Sequence, residues 1–202
     1  MSIFSGNYLQ GCFKPEHPEK CLNYNGRMPR AKPITFRSSW EKIFCNFCDR
    51  TNSVIEWGSE VLEVPYYSQI DGKNHVYVTD FLFVCKDKDG QVKKYILEVK
   101  PESQTPILNE AGQIKYPDPP QKKSKKAIEN WQERCNTLRR NYEKWEAAKR
   151  WCRQHGYLFK VLTEEQFGLK YSWNIHACGQ CADIHFLHGW IRPFPAGRRP
   201  FC

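Results

Sequence analysis

The stretch Tyr95-Ile96-Leu97-Glu98-Val99-Lys100 carries an acid and a base that alternate with aliphatic residues. Because residues i and i+2 of a strand point to the same face, Glu98 and Lys100 should lie side by side at the end of a strand. A carboxylate beside an ammonium, with a second acid on the neighbouring strand, can hold a divalent cation and an attacking water. The stretch therefore predicts a β-strand that carries a site for phosphodiester hydrolysis.

The second acid is Asp80, which interrupts an otherwise apolar run at residues 76–85. We predict one long strand over this run, and a charge inside it is costly unless it is solvated, paired or bound to a metal. The turn signal Asp89-Gly90 separates this strand from a returning strand at residues 93–99. The two strands should form a hairpin that brings Asp80 towards Glu98.

The register of this hairpin decides whether the charged groups converge. A two-residue loop at Asp89-Gly90 would place Asp80 opposite Val99, and directly opposed residues share a face. Asp80 would then point away from Glu98. Convergence of Asp80, Glu98 and Lys100 therefore predicts a loop with an odd number of residues, or a β-bulge.

The remaining patterns predict an α/β fold with a mixed sheet flanked by helices, in the order α-β-β-β-α-β. A first helix begins at an N-cap of Ser38 or Ser39 and ends within residues 49–52. A long second helix ends at Gly156. Its apolar stripe consists of Ile128, Trp131, Cys135, Leu138, Tyr142, Trp145 and Cys152. Further strands are predicted at 54–57, 60–65 and 157–162.

These patterns divide the chain into three parts. Residues 1–33 are rich in Pro, Gly, Asn and Lys and lack a sustained period, which predicts an extended N-terminal arm. Residues 34–167 contain the predicted helices and strands, and they form the expected nuclease domain. Residues 168–202 form a C-terminal extension to which the sequence assigns no fold, and an irregular segment is the interpretation there.

The charge of the chain favours a polyanionic partner. The 202 residues carry a formal net charge of +9, and residues 115–153 contain 12 Lys and Arg but only five Asp and Glu. Such a segment is typical of a solvated helix face, of a nucleic-acid surface and, less often, of a surface facing anionic lipid. Beside a candidate nuclease site, DNA is the favoured partner. The predicted DNA contacts are Arg37, Lys122, Lys123, Lys125 and Lys126.

No leader or membrane span is predicted. Residues 1–11 lack a basic segment followed by an apolar one, and the longest apolar run, residues 81–85, is too short to cross a bilayer. We expect a cytosolic protein whose ten cysteines are thiols or metal ligands.

Two sets of cysteines are candidate zinc ligands. Cys45 and Cys48 lie one turn apart in the first helix, where buried thiols are the commoner arrangement; Cys12 and Cys21 would complete a four-Cys site. The C-terminal extension holds a second set with an unusually short central spacer, and the alternative there is an irregular segment without zinc. This set is Cys178, Cys181, His185 and His188.

The chemistry of the candidate hydrolytic site assigns roles to its residues. Asp80 and Glu98 are predicted to coordinate Mg²⁺ or Mn²⁺ through hard oxygen ligands. Lys100 would orient or deprotonate the attacking water, or stabilise the developing negative charge. Glu41, from the first helix, would complete a second metal site or hold a metal-bound water. Gln104 is a weaker candidate for the same neighbourhood.

A helical Glu41, then Asp80, then Glu98-x-Lys100 resembles the active-site pattern of the PD-(D/E)XK nuclease superfamily, with Thr79 in place of the usual proline. Longer stretches within residues 1–167 narrow the resemblance to the head completion nucleases of T4-like bacteriophages, which are similar to TnsA-type transposon endonucleases. These stretches are Phe36-Arg37-Ser38-Ser39-Trp40-Glu41, Leu97-Glu98-Val99-Lys100-Pro101, and residues 57–60, 65–68, 71–73, 79–81, 144–149 and 159–164.

The resemblance implies a PD-(D/E)XK core with Glu41, Asp80, Glu98 and Lys100 as active-site residues. It implies a metal-dependent DNA endonuclease that acts on the filled capsid before tail joining, at the DNA end or the portal vertex. Double-stranded DNA and capsid, portal or neck proteins would be the partners, in the host cytoplasm or the virion head. Two alternatives stay open: a head-completion factor that binds without cutting, and a transposon endonuclease that acts with a partner.

Overall fold

A computed structural model describes residues 10–28, 32–121 and 124–167. Within these ranges the chain forms strands, two helices and two short 3₁₀ turns. The strands are β1 (Gly11–Phe13), β2 (Ile34–Phe36), β3 (Val54–Ser59), β4 (Glu63–Ser68), β5 (Lys73–Val78), β6 (Phe81–Lys86), β7 (Val92–Val99) and β8 (Leu158–Leu162). The helices are α1 (Ser39–Arg50) and α2 (Lys125–His155), and the 3₁₀ turns are Pro18–Lys20 and Glu102–Gln104.

The central sheet has the strand order β3-β6-β7-β8. Its first three strands are antiparallel, whereas β8 runs parallel to β7 after the long crossover through α2. The prediction of a mixed sheet flanked by helices is therefore confirmed. The central strands and the two helices follow the predicted order α-β-β-β-α-β, and β4 and β5 form a separate two-stranded hairpin between β3 and β6.

The two faces of the central sheet are covered by different elements. On one face, Phe44 and Cys48 of α1 pack in a cluster with Trp57, Phe81 and Leu97 of the sheet. On the other face, α2 joins the β4–β5 hairpin in a second cluster, which contains the buried residues Val64, Tyr66, Tyr77, Trp145, Ala147 and Ala148. The hairpin thus packs on the second half of α2.

Side-chain and glycine caps set the ends of the helices. The Oγ of Ser38 accepts the N–H of Glu41 at 3.1 Å and begins α1, and Ser124 begins α2 in the same way. Gly156 ends α2 with φ of 72°, a left-handed conformation that costs other residues more than glycine. The predicted start of the first helix and the end of the second are confirmed.

The predicted apolar stripe of α2 is buried mainly in its second half. Leu138, Trp145 and Cys152 are buried, whereas Ile128 near the start of the helix is exposed. The first turns of α2 therefore extend beyond the core. In the described part of the chain, no helix combines the length and apolar composition needed to cross a bilayer.

The predicted long strand at residues 76–85 is wrong, because the chain changes sheets inside it. β5 ends at Val78 and pairs with β4, whereas β6 begins at Phe81 and pairs with β3 and β7. The N–H of Thr79 donates to Leu62 O at 3.0 Å and the N–H of Glu60 donates to Asp80 O at 3.1 Å. Backbone hydrogen bonds therefore fix both residues that connect β5 to β6.

The strand predicted at residues 60–65 is displaced, since β4 runs from Glu63 to Ser68. The reason lies at Glu60, which adopts φ of 55°. A non-glycine residue in this left-handed region ends a strand, because extended backbone requires negative φ. The chain therefore turns at Glu60 before the hairpin begins.

The described part of the predicted arm packs on the domain and is not extended. The strand β1 pairs with β2, and the N–H of Leu22 donates to Trp57 O at 2.8 Å. The buried carboxylate of Asp49 in α1 accepts the N–H groups of Glu16 at 2.7 Å and His17 at 3.0 Å. These backbone contacts fix residues 10–28 to the core, while the domain boundaries themselves stay predictions.

Candidate active site

The hairpin of β6 and β7 has the register that convergence requires. Phe81 pairs with Leu97 and Lys86 pairs with Val92, so five residues (87–91) connect the strands. The odd loop confirms the register prediction. Asp80, one residue before β6, comes into line with Glu98, and its Oδ2 accepts the backbone N–H of Val99 at 2.8 Å.

Glu98 and Lys100 form an ion pair at the end of β7. The Nζ of Lys100 lies 2.9 Å from Oε1 of Glu98, whose side chain is 3% exposed. The N–H of Lys100 donates to Leu162 O at 3.0 Å, which anchors this end of β7 to β8. Burial acts to lower the pKa of Lys100, but the negative charges of Asp80 and Glu98 outweigh burial and raise it. Lys100 is therefore an ammonium at neutral pH.

Asp80 is less acidic than an ordinary carboxyl. Burial and the nearby charge of Glu98 raise its pKa to about 8, although Lys100 and the Val99 N–H favour the ionised form. Two carboxylates in one site repel each other unless a proton or a cation lies between them. The pair therefore favours the binding of a proton at neutral pH or of a divalent cation.

The oxygen donors of this pair suit Mg²⁺ or Mn²⁺. Among the residues that the structure describes, no group of three or more His, Cys, Asp and Glu side chains is arranged to hold a metal. Asp80 and Glu98 are thus a two-carboxylate set. Mg²⁺ commonly binds through one or two carboxylates and fills its other positions with water and substrate phosphate. The residues present fit that kind of site.

Glu41 lies near the pair, but both of its oxygens take part in the cap of α1. Its Oε2 accepts the N–H of Arg37 at 2.8 Å and its Oε1 accepts the hydroxyl of Ser38 at 2.9 Å. This is a variant of the capping box, in which Glu41 accepts the N–H of Arg37 in place of that of the N-cap Ser38. The negative charge of Glu41 nevertheless contributes to the raised pKa of both Asp80 and Lys100. Glu41 therefore acts on the site through its charge in this conformation.

Arg37 contacts Glu60 at the margin of the same site. Its guanidinium donates to the Glu60 carboxylate, and this hydrogen bond, with the charge of Glu60, raises the pKa of Arg37. The backbone of Glu60 is bonded in turn to Asp80. A phosphate that approached Arg37 would compete with Glu60 for the guanidinium.

Tyr77 is a site residue that the sequence analysis missed. Its side chain is buried, and its hydroxyl donates a hydrogen bond to Oε2 of Glu98. Burial and the charge of Glu98 raise the pKa of Tyr77, so the phenol stays protonated and remains a donor. The sequence did not indicate this role because it predicted one strand through Tyr77 and Asp80. Residues three apart on a strand point to opposite faces, so Tyr77 would have pointed away from the site.

Lys144 is a second residue that was missed as part of the site. It lies on α2, and its Nζ is 5.5 Å from the centroid of the Tyr77 ring. Burial lowers the pKa of Lys144, and the negative charge of Glu98 only partly offsets this effect. The helical stripe gave no signal for Lys144, since a lysine on a basic helix normally faces solvent.

The other predicted DNA contacts lie at the start of α2 or outside the described residues. Lys125 and Lys126 are exposed, and Lys125 is 4.0 Å from Glu129. Lys126 is about 27 Å along the helix from Lys144, at 1.5 Å per residue. Lys122 and Lys123 lie outside the described ranges. Lys125 and Lys126 are therefore remote from Lys144 and the carboxylate pair.

The backbone of Gln104 supports α2, and the first cysteine set is not arranged around a metal in the described residues. Gln104 contributes its carbonyl, which accepts from the side chain of Asn141 at 2.9 Å. Cys21, Cys45 and Cys48 are buried while Cys12 is exposed, and no metal-holding group of cysteines is present in the described ranges. The buried-thiol interpretation of Cys45 and Cys48 is confirmed, and the structure gives the four-Cys zinc alternative no support. Cys178, Cys181, His185 and His188 lie outside the described residues.

Comparison with known proteins adds two findings. The family of TnsA-like endonuclease N-terminal domains matches residues 51–164 of this chain. This range contains Asp80, Glu98 and Lys100 and begins after Glu41. The head completion nuclease of Enterobacteria phage T4 is 31% identical over 148 residues, which cover 73% of this chain and 88% of the phage T4 protein.

Proposed function

Because the chain belongs to the TnsA-like endonuclease family, whose core is of the PD-(D/E)XK type, we propose that it is a divalent-metal-dependent nuclease that cuts double-stranded DNA during phage head completion. The observation that carries the proposal is the alignment of Asp80 with Glu98, beside the ion pair of Glu98 and Lys100. Both carboxylates and the ammonium thus meet at one end of β7.

Asp80 and Glu98 are the proposed ligands of Mg²⁺ or Mn²⁺. When bound, such a cation supplies Lewis-acid polarisation of the phosphate and acidifies a water molecule. Tyr77 holds Glu98 by donating a hydrogen bond from its hydroxyl to Oε2, which leaves Oε1 directed at Lys100. The protein thus presents the carboxylates in a fixed arrangement.

Lys100 is proposed to act as a cation and not as a base. Its raised pKa keeps the ammonium protonated at neutral pH, so it can orient the attacking water and stabilise charge that develops on the phosphate. Glu41 is proposed to contact water at the same centre through a change in its cap hydrogen bonds.

The role in head completion is that of the phage T4 relative, a head completion nuclease. We propose that the chain acts on the packaged DNA end or at the portal vertex before tail joining. Capsid, portal or neck proteins are then its partners, and the host cytoplasm and the virion head are where it works. A head-completion factor that binds DNA without cutting is the competing interpretation, and a DNA cleavage assay separates the two.

The test is cleavage of plasmid and linear DNA with Mg²⁺ or Mn²⁺, and with EDTA as control. Asp80→Ala, Glu98→Ala and Lys100→Ala should each lower the cleavage rate by about 10²-fold or more, the loss typical of a missing electrostatic group in an active site. Metal-dependent cutting that survives all three substitutions refutes the site. DNA binding by the wild type without any cutting supports the non-cutting factor.

A further inference from the structure

Lys144 is partly buried, yet it lacks the carboxylate partner that several basic residues of α2 have, whereas Arg150 and Arg153, which also form no ion pair in the described structure, are exposed. Arg139 is 3.0 Å from Glu143, Arg140 is 3.8 Å from Glu133, and Lys149 is 2.8 Å from Glu146. Lys144 has no carboxylate within 4.0 Å in the part of the chain that the structure describes. Its ammonium makes a cation–π contact with the ring of Tyr77.

The position of Lys144 is costly in the absence of an anion. A partly buried ammonium loses hydration, and a cation–π contact returns only about 0.5–2 kcal/mol. A carboxylate of the protein would normally offset the remaining cost of desolvation. The acids whose charge acts on Lys144, Glu98 and Asp80, are already engaged with Lys100, Tyr77 and the backbone of Val99.

Tyr77 links Lys144 to the proposed metal centre. One face of its ring contacts the ammonium, while its hydroxyl donates to Glu98. The ammonium of Lys144 therefore approaches the carboxylate pair from α2, and that of Lys100 approaches it from β7. A DNA phosphate at the pair would meet positive charge from two separate elements.

We propose that Lys144 is a substrate-binding residue of this centre, whose ammonium contacts a backbone phosphate of the DNA held at Asp80 and Glu98. The proposal rests on the nuclease function proposed above. Lysine suits this role because its compact ammonium acts as a point charge towards phosphate without demanding a forked geometry.

The first test is the salt dependence of DNA binding, measured by fluorescence anisotropy with a short labelled duplex at a fixed concentration of Ca²⁺, which binds carboxylate oxygens, under conditions where no cutting is detected. Each phosphate contact adds about 0.9 to the slope of log affinity against log salt. Lys144→Met should lower the magnitude of the slope by about 0.9, and Lys144→Arg should restore it. Lys149→Met is the matched control, because Lys149 is paired with Glu146 outside the site and should leave the slope unchanged.

The second test is steady-state cleavage with Mg²⁺. Lys144→Met should raise KM by roughly tenfold, the effect of losing one charged hydrogen bond, and change kcat less. Thermal unfolding completes the set, since removal of an unpaired ammonium should leave the unfolding midpoint unchanged or higher.

The outcomes distinguish this proposal from the function on which it rests. If the wild type neither binds nor cuts DNA, the proposed function fails. If Asp80→Ala and Lys100→Ala abolish cutting but Lys144→Met keeps the wild-type slope and KM, the function stands and the role of Lys144 is refuted. A lower unfolding midpoint that Lys144→Arg does not correct would assign Lys144 to structure alone.

Discussion

The hydroxyl of Tyr77 donates a hydrogen bond to Glu98 although the two residues belong to different sheets. Tyr77 comes from the β4–β5 hairpin and Glu98 from the central sheet. Glu98 is thus held on one oxygen by a phenol and on the other by the ammonium of Lys100. This fixes the carboxylate without a third acidic residue.

Replacement of Tyr77 by Phe should weaken the candidate metal site while the fold persists. The substitution removes the donor to Glu98 but keeps the buried ring. Loss of a group that orients a metal ligand typically costs 10–100-fold in metal affinity or activity, and we expect about that loss here. Isothermal titration with Mn²⁺ measures it. Tyr66→Phe, on the same buried face of the hairpin, is the control; equal losses in both variants would contradict the prediction.

Binding of the divalent cation should release a proton from Asp80. Its pKa of about 8 means that the carboxyl is largely protonated at pH 7, whereas a metal ligand must be ionised. Apparent affinity should therefore rise by about tenfold per pH unit below pH 8 and then level off. Calorimetry in two buffers of different ionisation enthalpy counts the released proton, and the release of no proton at pH 7 would be inconsistent with the raised pKa of Asp80.

The same raised pKa makes Asp80 destabilising in the metal-free protein at higher pH. The folded state holds the proton more tightly than the unfolded state, so the contribution of Asp80 to stability falls as pH rises from about 4 to about 8. Asp80→Asn should therefore unfold at a higher temperature than the wild type at pH 8. The difference should vanish near pH 3, where both states are protonated. A gain that is independent of pH would point to a cause other than ionisation.

Asp49 should be needed to keep residues 10–28 on the core. Its buried carboxylate accepts two backbone N–H groups, from Glu16 and His17. Asp49→Ala removes both acceptors and should lower the free energy of unfolding by about 2–4 kcal/mol. Asp49→Asn keeps one acceptor oxygen and should cost less. Urea denaturation gives the values, and limited proteolysis should cut the N-terminal segment first in the alanine variant; equal protection of both variants would argue against this role.

Lys125 and Lys126 should contribute to DNA affinity only when the duplex is long enough to reach the start of α2. Lys126 is about 27 Å along α2 from Lys144, which corresponds to roughly eight base pairs of duplex. If the DNA follows the helix, Lys125→Ala with Lys126→Ala should weaken binding of a long duplex and leave a duplex that ends near the cut unaffected. Competition binding with the two lengths checks this, and an equal effect on both would place the DNA on another path.

The sequence predicted those parts of the site that depend on short-range geometry. Glu98 and Lys100 share a face because they are two apart on one strand, and convergence with Asp80 required an odd loop, which residues 87–91 provide. The cap at Ser38 and the glycine at Gly156 also act within a few residues of their own helix. Such features are encoded locally and can be predicted from one chain.

The parts that the sequence could not predict depend on the change of sheets between β5 and β6. The alternation of buried and exposed residues continues across that change. Tyr77, Thr79 and Phe81 are all buried, so the period of two continues from β5 into β6 although the strands enter different sheets. No pattern along the chain marks that change of partner. Tyr77 and Lys144 meet only because the hairpin packs on α2, and Asp49 is identified only by the backbone that returns to it.

The change of sheets at Thr79 and Asp80 makes the position of the hairpin and the occupancy of the carboxylates thermodynamically linked. Tyr77 on one side of the break supports Glu98, and Asp80 on the other side completes the pair. If cation binding is tighter when the hairpin is docked, the bound cation must stabilise docking by the same free energy. Anything that displaced the hairpin would therefore reduce cation affinity from a distance, without contacting either carboxylate.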